Sequence, residues 1–240
     1  MSLNNIVHPV SIVMPVCNEV TVIDRVISEW TTMLNRLPDG SLLEIEDANS
    51  NDGTIEILQK WEAADPRIEV TYFPQRDGFT NALRRLLANA KNDWIFVSDS
   101  DGQYFAESII DFDKKFDSSI SFLKGVKVNR KDGFFRRLFS FLLNRFLNLL
   151  FGFPFVDFNS SHYLIKKDLV SNYASEGWIF TYGINIEITI RTLLENAKYD
   201  IVYVRHDSRS DGFSRGNPPL KFLKFGLTSL REAFKLKQHF

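Results

Sequence analysis

The sequence predicts an α/β fold in which a mostly parallel central sheet carries helices on both faces. Its first hundred residues alternate short apolar runs with segments of helical periodicity, an order typical of parallel sheets. The 240-residue length suits one α/β domain, and 44% hydrophobic with 25% charged residues is ordinary for a globular chain. We expect a single domain over residues 1–218, followed by a basic amphipathic helix at 219–240.

The first half of the chain accounts for most of this prediction. Short apolar runs predict strands at 11–16, 42–47, 68–73 and 94–98. Apolar residues at helical spacing predict helices at 21–37, 54–64 and 79–90. The breaker cluster Pro38-Asp39-Gly40 ends the first of these helices.

The second half is less regular but continues the pattern. Its apolar runs predict strands at 120–128, 162–166 and 201–205. Long amphipathic or apolar segments predict helices at 133–151, 183–196 and 220–237. No internal repeat or low-complexity linker interrupts the chain, which favours one domain.

Charge is distributed unevenly along the chain. The formal net charge of −1 gives no reason to expect a nucleic-acid partner. Residues 124–145 nevertheless carry a net charge of +6 and residues 205–237 a net charge of +5, which leaves −12 for the rest. Solvated helix faces explain such stretches, and so does attraction to an anionic membrane surface.

Cysteine content and the N-terminal and apolar segments bear on the compartment of the protein and on whether it crosses a membrane. The single cysteine, Cys17, excludes an internal disulfide and fits a reducing compartment. We expect no secretory signal, because the N-terminus lacks a basic stretch followed by an apolar core. The most apolar segment, 134–156, contains three arginines, so we expect no membrane span.

The strongest local signal is Asp99-Ser100-Asp101-Gly102-Gln103, directly after the apolar run at 94–98. Residues i and i+2 of an extended chain point to the same side, so Asp99 and Asp101 can present carboxylates to one cation. Gln103 can add an amide oxygen, and such hard ligands suit Mg²⁺ or Mn²⁺. The alternative is a polar turn with two solvated acids.

Two other predicted strands also end in polar residues. The segment Pro15-Val16-Cys17-Asn18-Glu19 follows the first strand, and residues 47–54 follow the second. The latter segment also fits an Asx-rich turn that caps the next helix. Ligands of open α/β sheets bind beyond the carboxyl ends of strands, so three such ends together favour one ligand crevice.

These three segments, together with Gly78-Phe79-Thr80-Asn81-Ala82, resemble in order and spacing the family 2 glycosyltransferases. The resemblance implies the Rossmann-like GT-A fold of nucleotide-diphospho-sugar transferases. The second half resembles the branch of polyprenyl-phosphate sugar transferases, such as dolichol-phosphate mannose synthase. The matching segments are residues 101–103, 125–130, 157–163 and 209–214.

The resemblance implies a UDP- or GDP-sugar donor and a Mg²⁺ or Mn²⁺ cofactor. The residues implied for the nucleotide-sugar pocket are Pro15, Asn18, Glu19, Asp47 and Asp99. Those implied for the metal are Asp99, Asp101 and Gln103. Many relatives have two acids where this chain has Asp47-Ala48, so only Asp47 carries over.

The resemblance implies that Asp101, Arg209 and Asp157 take part in the reaction. Arg209 can pair with the donor diphosphate, and the alternative is a surface arginine. Asp157 is the base if the acceptor is a hydroxyl, positions the sugar if the acceptor is a phosphate, or caps a turn. We interpret His162 and His206 as structural or rim residues, because neither has a metal-ligand partner in the sequence.

The helix predicted at 133–151 is apolar around most of its circumference, with a polar stripe at Arg136, Ser140, Asn144 and Asn148. Such a helix is either buried or lies in a bilayer interface as an amphipathic interface helix. The residues we expect to hold an acceptor phosphate are Lys127, Arg130, Arg136 and Ser140. Relatives often have Gly and Arg in the segment matching 161–164, and this chain has neither.

The resulting expectation is a metal-dependent, inverting glycosyltransferase that uses a polyprenyl-phosphate acceptor. It would work at the cytoplasmic face of the cell membrane as a peripheral protein, with a membrane-protein partner possible. One alternative is an enzyme of the same fold that glycosylates a sugar hydroxyl of a glycan. Two others are a degenerate nucleotide-sugar-binding module and a nucleotidyltransferase, although no Gly-rich phosphate loop near the N-terminus supports the latter.

Overall fold

The computed structural model describes residues 3–128, 134–155, 157–207 and 219–240, with the backbone alone at 134–136 and 219–223. Within these residues one sheet contains seven strands. The strands are β1 (Val10–Val16), β2 (Leu42–Ala48), β3 (Ile68–Phe73), β4 (Trp94–Val97), β5 (Phe122–Val128), β6 (Tyr163–Lys166) and β7 (Tyr199–Arg205). Their order across the sheet is β3-β2-β1-β4-β6-β5-β7.

The sheet is mostly parallel, as the sequence predicts. β1 pairs in parallel with both β2 and β4, β2 with β3, and β5 with β7. Among the seven strands of the described residues only β6 runs antiparallel, and it does so to both of its neighbours, β4 and β5. Two reversals restore the direction, so β1, β2, β4 and β5 all end at one edge of the sheet.

Eight helices and one short 3₁₀ turn, Ala106–Ser108, lie in the described part of the chain. The helices are α1 (Ile23–Leu34), α2 (Thr54–Ala64), α3 (Phe79–Asn89), α4 (Ile109–Lys115), α5 (Phe134–Phe151), α6 (Lys167–Glu176), α7 (Ile184–Leu194) and α8 (Pro219–His239). The sequence does not predict α4 and α6, which are short. The core anchors of α6 are Val170 and Tyr173 alone, one turn apart, too few to give a clear helical period.

Both faces of the sheet are buried, which explains the continuous apolar runs of its strands. Alternate residues of β1 point to opposite faces: Ile12 and Met14 join one hydrophobic cluster, and Val13 joins the other. The first cluster includes residues of α1 and α4, and the second includes residues of α3, α6 and α7. Helices therefore cover both faces.

A third hydrophobic cluster joins α5, α7 and α8 beside the sheet. α8 contributes the fully buried Ala233 and Leu236, so this helix packs as part of the core. A Cβ atom on Gly226 of α8 would lie 2.1 Å from Cζ of Phe139 on α5, so glycine permits the close approach of the two helices. No helix in the described residues is long and apolar enough to cross a membrane.

A second close approach, here of backbone to backbone, occurs between Gly125 of β5 and His162, the residue just before β6. The backbone N–H of Gly125 donates to the carbonyl of His162 at 2.8 Å. A Cβ atom at Gly125 would lie 2.4 Å from that same oxygen. Glycine therefore lets the loop before β6 lie directly against β5 at the edge where the strands end.

Candidate functional site

The loops after β1 and β2 are tied together by side-chain hydrogen bonds. The backbone N–H of Asn18 donates to Ser50 Oγ at 2.8 Å, and that of Glu19 donates to Thr54 Oγ1 at 2.9 Å. In return, Asn18 Oδ1 accepts from the backbone of Asn51 at 2.9 Å. Asn18 reaches this geometry with a φ of 57°, a left-handed conformation that asparagine tolerates better than most residues. The two loops therefore form one rigid rim.

Asp47, at the end of β2, lies fully buried beneath this rim. Its carboxylate accepts hydrogen bonds from the backbone N–H of Ser50 at 2.9 Å and from the Ser50 hydroxyl at 2.5 Å. Asp47 thereby shapes the turn after β2. Its predicted contact with a nucleoside stays a prediction.

Arg76 is a residue of this rim that sequence reasoning missed. Its guanidinium donates to the Asn49 carbonyl, to Asn51 Oδ1 at 2.8 Å and to Asn18 Oδ1 at 3.2 Å. It thus fastens both loops from the outside. No local motif marks it, because its partners come from loops 25 or more residues away.

A cavity of about 410 Å³ opens beside this rim at the carboxyl edge of the sheet. Its lining comes from seven regions of the chain. These are Pro15 and Glu19; Asp77, Gly78, Phe79 and Thr80; Asp99, Ser100 and Asp101; Lys127; Asn159 and Ser161; Thr181, Tyr182, Gly183 and Asn185; and Phe225. The Gly78–Thr80 part belongs to the glycine segment singled out in the sequence.

The cavity brings together some of the predicted site residues and not others. Those in its lining are Pro15, Glu19, Asp99, Asp101 and Lys127. Five described residues of the predicted site lie outside the lining: Asn18, Asp47, Gln103, Ser140 and Asp157. Ser140 is half-buried on α5, Arg130 and Arg209 lie outside the described residues, and Arg136 is described by its backbone alone.

Asp99 and Asp101 follow β4 and both line the cavity. Asp99 Oδ2 accepts a hydrogen bond from the hydroxyl of Ser161, which comes from the loop before β6. Asp101 Oδ1 accepts from the backbone N–H of Gln103 at 3.1 Å. These contacts fix one oxygen of each carboxylate and orient both groups at the cavity wall.

The two carboxylates fit a hard divalent cation that takes some of its ligands from the protein and others from a substrate. Carboxylate oxygens are the ligands that Mg²⁺ and Mn²⁺ prefer, and such ions take remaining ligands from phosphates and water. Among the described residues no group of three or more His, Cys, Asp or Glu side chains forms a complete metal cage. Two carboxylates on an open cavity are suited to a metal that takes its other ligands from a substrate and from water.

Gln103 connects this acidic loop to the end of β7. Its side-chain Nε2 donates to the Asp207 carbonyl at 2.8 Å, and the Asp207 N–H donates to the Gln103 carbonyl at 3.0 Å. The side-chain nitrogen thus holds the chain two residues before Arg209. The predicted role of the Gln103 amide oxygen at a metal stays a prediction.

The loop that carries Asp157 is held by the polar stripe of α5. Asn148 brackets Phe155, donating to its carbonyl at 2.7 Å and accepting from its N–H at 3.0 Å. One turn earlier, Asn144 Oδ1 accepts from the Phe158 N–H at 3.1 Å. Asp157 lies between these anchors and is only 5% exposed. Two of the four stripe residues therefore serve the protein's own backbone.

Lys124 is a fully buried lysine in the middle of β5. Its Nζ donates to the Ser160 carbonyl at 2.5 Å and to the Phe158 carbonyl at 3.4 Å. Burial lowers the pKa of Lys124 to about 7, although the nearby negative charge of Asp157 opposes this shift. A lysine within the apolar run of β5 is the signal in the sequence that marks this buried cation.

His162 and His206 are both buried around Tyr104, in agreement with a structural interpretation. The His162 ring stacks on Tyr104 with centroids 4.4 Å apart, and its Nε2 lies 2.6 Å from the hydroxyl of Ser108. Burial lowers the pKa of His162 to about 3, so this ring is neutral at physiological pH. His206 packs edge-on against Tyr104 at 4.9 Å.

The far wall of the cavity is the loop 177–183, whose backbone is held by charged side chains from three helices. Glu187 of α7 accepts hydrogen bonds from two successive backbone N–H groups, and Glu232 of α8 accepts from the next. Arg84 of α3 donates to a carbonyl between them. In the sequence, the glutamate and arginine four residues apart in the otherwise apolar helix α7, Glu187 and Arg191, indicate that buried charged groups bind neighbouring backbone.

Exposed apolar side chains lie on the outer faces of α5 and α8. They are Leu138, Phe141, Leu142 and Leu149 on α5, and Leu227 and Phe234 on α8. Arg137 and Arg145 are exposed on α5 as well. α5 is therefore buried on one side and exposed on the other. Its location in a bilayer interface stays a prediction.

Comparison with known proteins identifies the family. Residues 11–173 match the profile of glycosyl transferase family 2, which covers more than half of the chain. This match includes the three strand-end segments and the Asp157 loop.

Two curated relatives are each 27% identical to this chain. One is the uncharacterized glycosyltransferase YkcC of Bacillus subtilis strain 168, aligned over 58% of this chain and 43% of the relative. The other is the undecaprenyl-phosphate 4-deoxy-4-formamido-L-arabinose transferase of Enterobacter sp. strain 638, aligned over 61% of this chain and 45% of the relative. The chain thus aligns with less than half the length of each.

Solved structures of glucosyl-3-phosphoglycerate synthase from Mycobacterium tuberculosis share the fold. A complex with Mn²⁺, UDP and phosphoglyceric acid superposes with a TM-score of 0.73, at 20% identity, over 94% of this chain and 78% of that one. A complex with Mn²⁺, UDP-glucose and phosphoglyceric acid gives a TM-score of 0.74 over 94% of this chain and 80% of that one, again at 20% identity. The expected GT-A fold is confirmed, and with the profile match it follows that this chain belongs to glycosyl transferase family 2.

Proposed function

We propose that this protein transfers a sugar, with inversion, from a nucleotide-diphosphate donor to a polyprenyl phosphate and that it requires Mg²⁺ or Mn²⁺. The observation that carries the proposal is the pair Asp99 and Asp101 on the wall of a 410 Å³ cavity, at the carboxyl edge of a mostly parallel sheet. Substrates of open α/β sheets bind at this edge.

The donor would occupy the rim and the adjoining part of the cavity. Pro15, Asn18, Glu19 and Asp47 would form the nucleoside pocket, with Asp99 next to the ribose. The rim formed by the loops after β1 and β2 is rigid, which limits the ordering cost of binding a nucleotide. UDP is supported as the nucleotide by the fold neighbours crystallised with UDP and UDP-glucose, and GDP remains the second choice.

Asp99 and Asp101 would hold the metal, with Gln103 completing or orienting its ligands. A divalent ion there would neutralise charge on the leaving diphosphate as the sugar–oxygen bond breaks. Arg209 would add a bidentate contact to the same diphosphate. Gln103 holds the segment leading to Arg209, which supports a role for both residues at one place.

The acceptor phosphate would be held by Lys127, Arg130, Arg136 and Ser140. Lys127 lines the cavity that also contains the two acids. A phosphate is already an anion at neutral pH and needs cations more than a base. Asp157, at 5% exposed and outside the cavity lining, is better placed to support its loop than to take a proton from a substrate.

A second candidate function is transfer to a hydroxyl of a sugar or a small phosphorylated acid. The fold neighbours crystallised with phosphoglyceric acid favour it. In that case Asp157 would have to become accessible as a base when the acceptor binds, because general-base catalysis needs hydrogen-bond contact with the acceptor hydroxyl.

A lipid acceptor calls for contact with a membrane surface. The exposed leucine and phenylalanine side chains of α5 and α8, with two exposed arginines on α5, are suited to an interface where apolar groups meet lipid and cations meet headgroups. Peripheral attachment at the cytoplasmic face is part of the proposal, with or without a membrane-protein partner. The undecaprenyl-phosphate relative supports the lipid acceptor.

The test is product formation with a panel of UDP- and GDP-sugars, polyprenyl phosphate and Mn²⁺ or Mg²⁺, with products identified by mass. Loss of one metal-binding carboxylate by Asp101→Asn should slow transfer at least about 100-fold, because the diphosphate loses its charge partner. Asp111→Asn is the matched control, since Asp111 pairs with Lys114 on the surface. Full transfer in the presence of a chelator would refute the metal mechanism.

A further inference from the structure

Lys124 is buried where a lysine side chain destabilises the fold unless its ammonium group makes compensating contacts. Its side chain is completely buried in β5, and moving an ammonium group out of water is expensive unless good hydrogen bonds compensate. The lysine Nζ meets two backbone carbonyls of one loop, those of Ser160 and Phe158. It also lies 4.6 Å from the ring centre of Tyr163, its direct partner across β5 and β6.

The residue after one of those carbonyls touches the acidic pair. Ser161 follows Ser160 in the chain and donates its hydroxyl to Asp99 Oδ2. A single peptide unit therefore links the lysine contact to the carboxylate contact. Thr189 Oγ1 also bonds the Phe158 carbonyl, at 3.2 Å, so Lys124 shares that acceptor, whereas its shorter, charge-assisted bond is the one to Ser160.

We propose that Lys124 is a positioning residue that orients Asp99 through the Ser160–Ser161 peptide and so prepares the metal site. The inference rests on the proposed function, in which Asp99 is a metal ligand. Partners behind metal ligands fix their orientation, and losing one typically weakens metal affinity or activity by about 10–100-fold. Lys124 itself touches neither substrate nor metal in this assignment.

The linkage predicts a specific pattern among variants. Lys124→Met keeps the length of the side chain and removes the ammonium group, while Ser161→Ala removes the hydroxyl from Asp99. If both act along one path, the double variant loses no more than the worse single variant, because the second change has nothing left to disconnect. Lys124→Arg retains a cation and should retain the function.

Calorimetric binding of UDP and of GDP, each with and without Mn²⁺, tests this pattern. Lys124→Met and Ser161→Ala should each weaken Mn²⁺-dependent nucleotide binding by about 10–100-fold. Binding without Mn²⁺ should weaken far less, because it loses at most the contact of Asp99 with the ribose, whereas a general loss of structure would weaken both alike. Lys166→Met is the control, since Lys166 lies on β6 opposite Trp94, at the other end of the strands.

Three results would overturn the proposal. One is Mn²⁺-dependent binding by Lys124→Met equal to that of the wild type, and another is losses that multiply in the double variant. If Lys124→Met does not fold, the comparison of Ser161→Ala with Ser161→Thr takes its place. The link through Ser161 requires that the alanine variant loses Mn²⁺-dependent binding and that the threonine variant keeps it. The third is wild-type protein that binds neither nucleotide with Mn²⁺, which would reject the proposed function itself and the inference with it.

Discussion

Asn148 on α5 holds both backbone groups of Phe155, with its amide donating to the carbonyl at 2.7 Å and accepting from the N–H at 3.0 Å. This two-sided contact fixes the start of the loop that contains Asp157. It also gives α5 a purpose in the fold beyond any contact with a membrane or a lipid.

Removing this contact should destabilise the protein measurably. Asn148→Ala leaves two half-buried backbone groups without partners, and each such group costs about 1–3 kcal/mol. We expect the free energy of unfolding, measured by urea denaturation, to fall by that order. Arg145→Ala on the exposed side of α5 is the control and should change it by less than about 0.5 kcal/mol. Equal stability of the two variants would show that the bracket is unimportant.

The sequence predicted the sheet well because each strand depends on its own apolar run. All seven strands appear within a few residues of the expected places, and the acids after β4 line the cavity as the strand-end rule implies. The polar stripe of α5 shows where such reasoning ends. Its spacing was visible, but whether Asn144 and Asn148 face a phosphate or the protein's own backbone depends on packing against a distant loop.

The same limit applies to the residues that were missed. Arg76, Arg84 and Glu232 bind loop backbone far away in the chain, and nothing in their own neighbourhoods reveals those partners. Lys124 differs, because a charge within an apolar strand is itself a warning that a buried partner exists. Long-range hydrogen bonds to backbone are set by the tertiary fold and leave no spacing pattern to read.

His162 should make the protein sensitive to acid. Burial lowers its pKa to about 3 in the folded state, against 6.5 for the ordinary side chain. Between these values the unfolded chain binds the extra proton, so stability falls as the pH drops from 6.5 toward 3. The contribution is bounded by about 1.4 kcal/mol per pH unit.

Urea denaturation at a series of pH values measures this effect. His162→Gln should flatten the slope between pH 6.5 and 4, even if it lowers the stability at pH 7 by losing the Tyr104 stack. His8→Gln, at an exposed position, should keep the wild-type slope. An unchanged slope in His162→Gln would mean that other groups cause the acid loss.

Membrane attachment is best tested with point variants on the outer faces of the helices. α8 supplies Ala233 and Leu236 to the core, so deleting the helix would disturb the fold as well as any membrane contact. Phe141→Gln and Leu149→Gln alter side chains that are 64% and 70% exposed. They should reduce sedimentation with anionic vesicles without lowering the melting temperature.

The matched control for that experiment is Tyr203→Gln, a 67% exposed aromatic on β7. It removes a similar apolar area from a surface outside the proposed interface. Vesicle binding that is equal in all three variants, or that persists at high salt in neutral vesicles, would contradict attachment through α5 and anionic headgroups.

The choice between acceptor classes turns on Lys127 and Asp157. A polyprenyl phosphate arrives as an anion, so Lys127→Ala, Arg130→Ala and Arg136→Ala should raise the apparent KM for it. Donor binding should change little in the two arginine variants, because the donor would lie over Asp99. If the acceptor is instead a hydroxyl, loss of its base in Asp157→Asn should cost the about 10²–10⁴-fold in kcat that general-base catalysis supplies.

Separate measurements of donor affinity and acceptor kinetics distinguish the two cases. Since Asp157 is buried among the anchors of its loop, Asp157→Asn is compared with Asn144→Ala, which loosens the same loop without touching the carboxylate. A large loss of kcat in Asp157→Asn alone, with normal acceptor kinetics in the arginine variants, would reject the lipid phosphate in favour of a hydroxyl acceptor. Raised acceptor KM in the arginine variants, with similar modest losses in Asp157→Asn and Asn144→Ala, is the outcome that a phosphate acceptor requires.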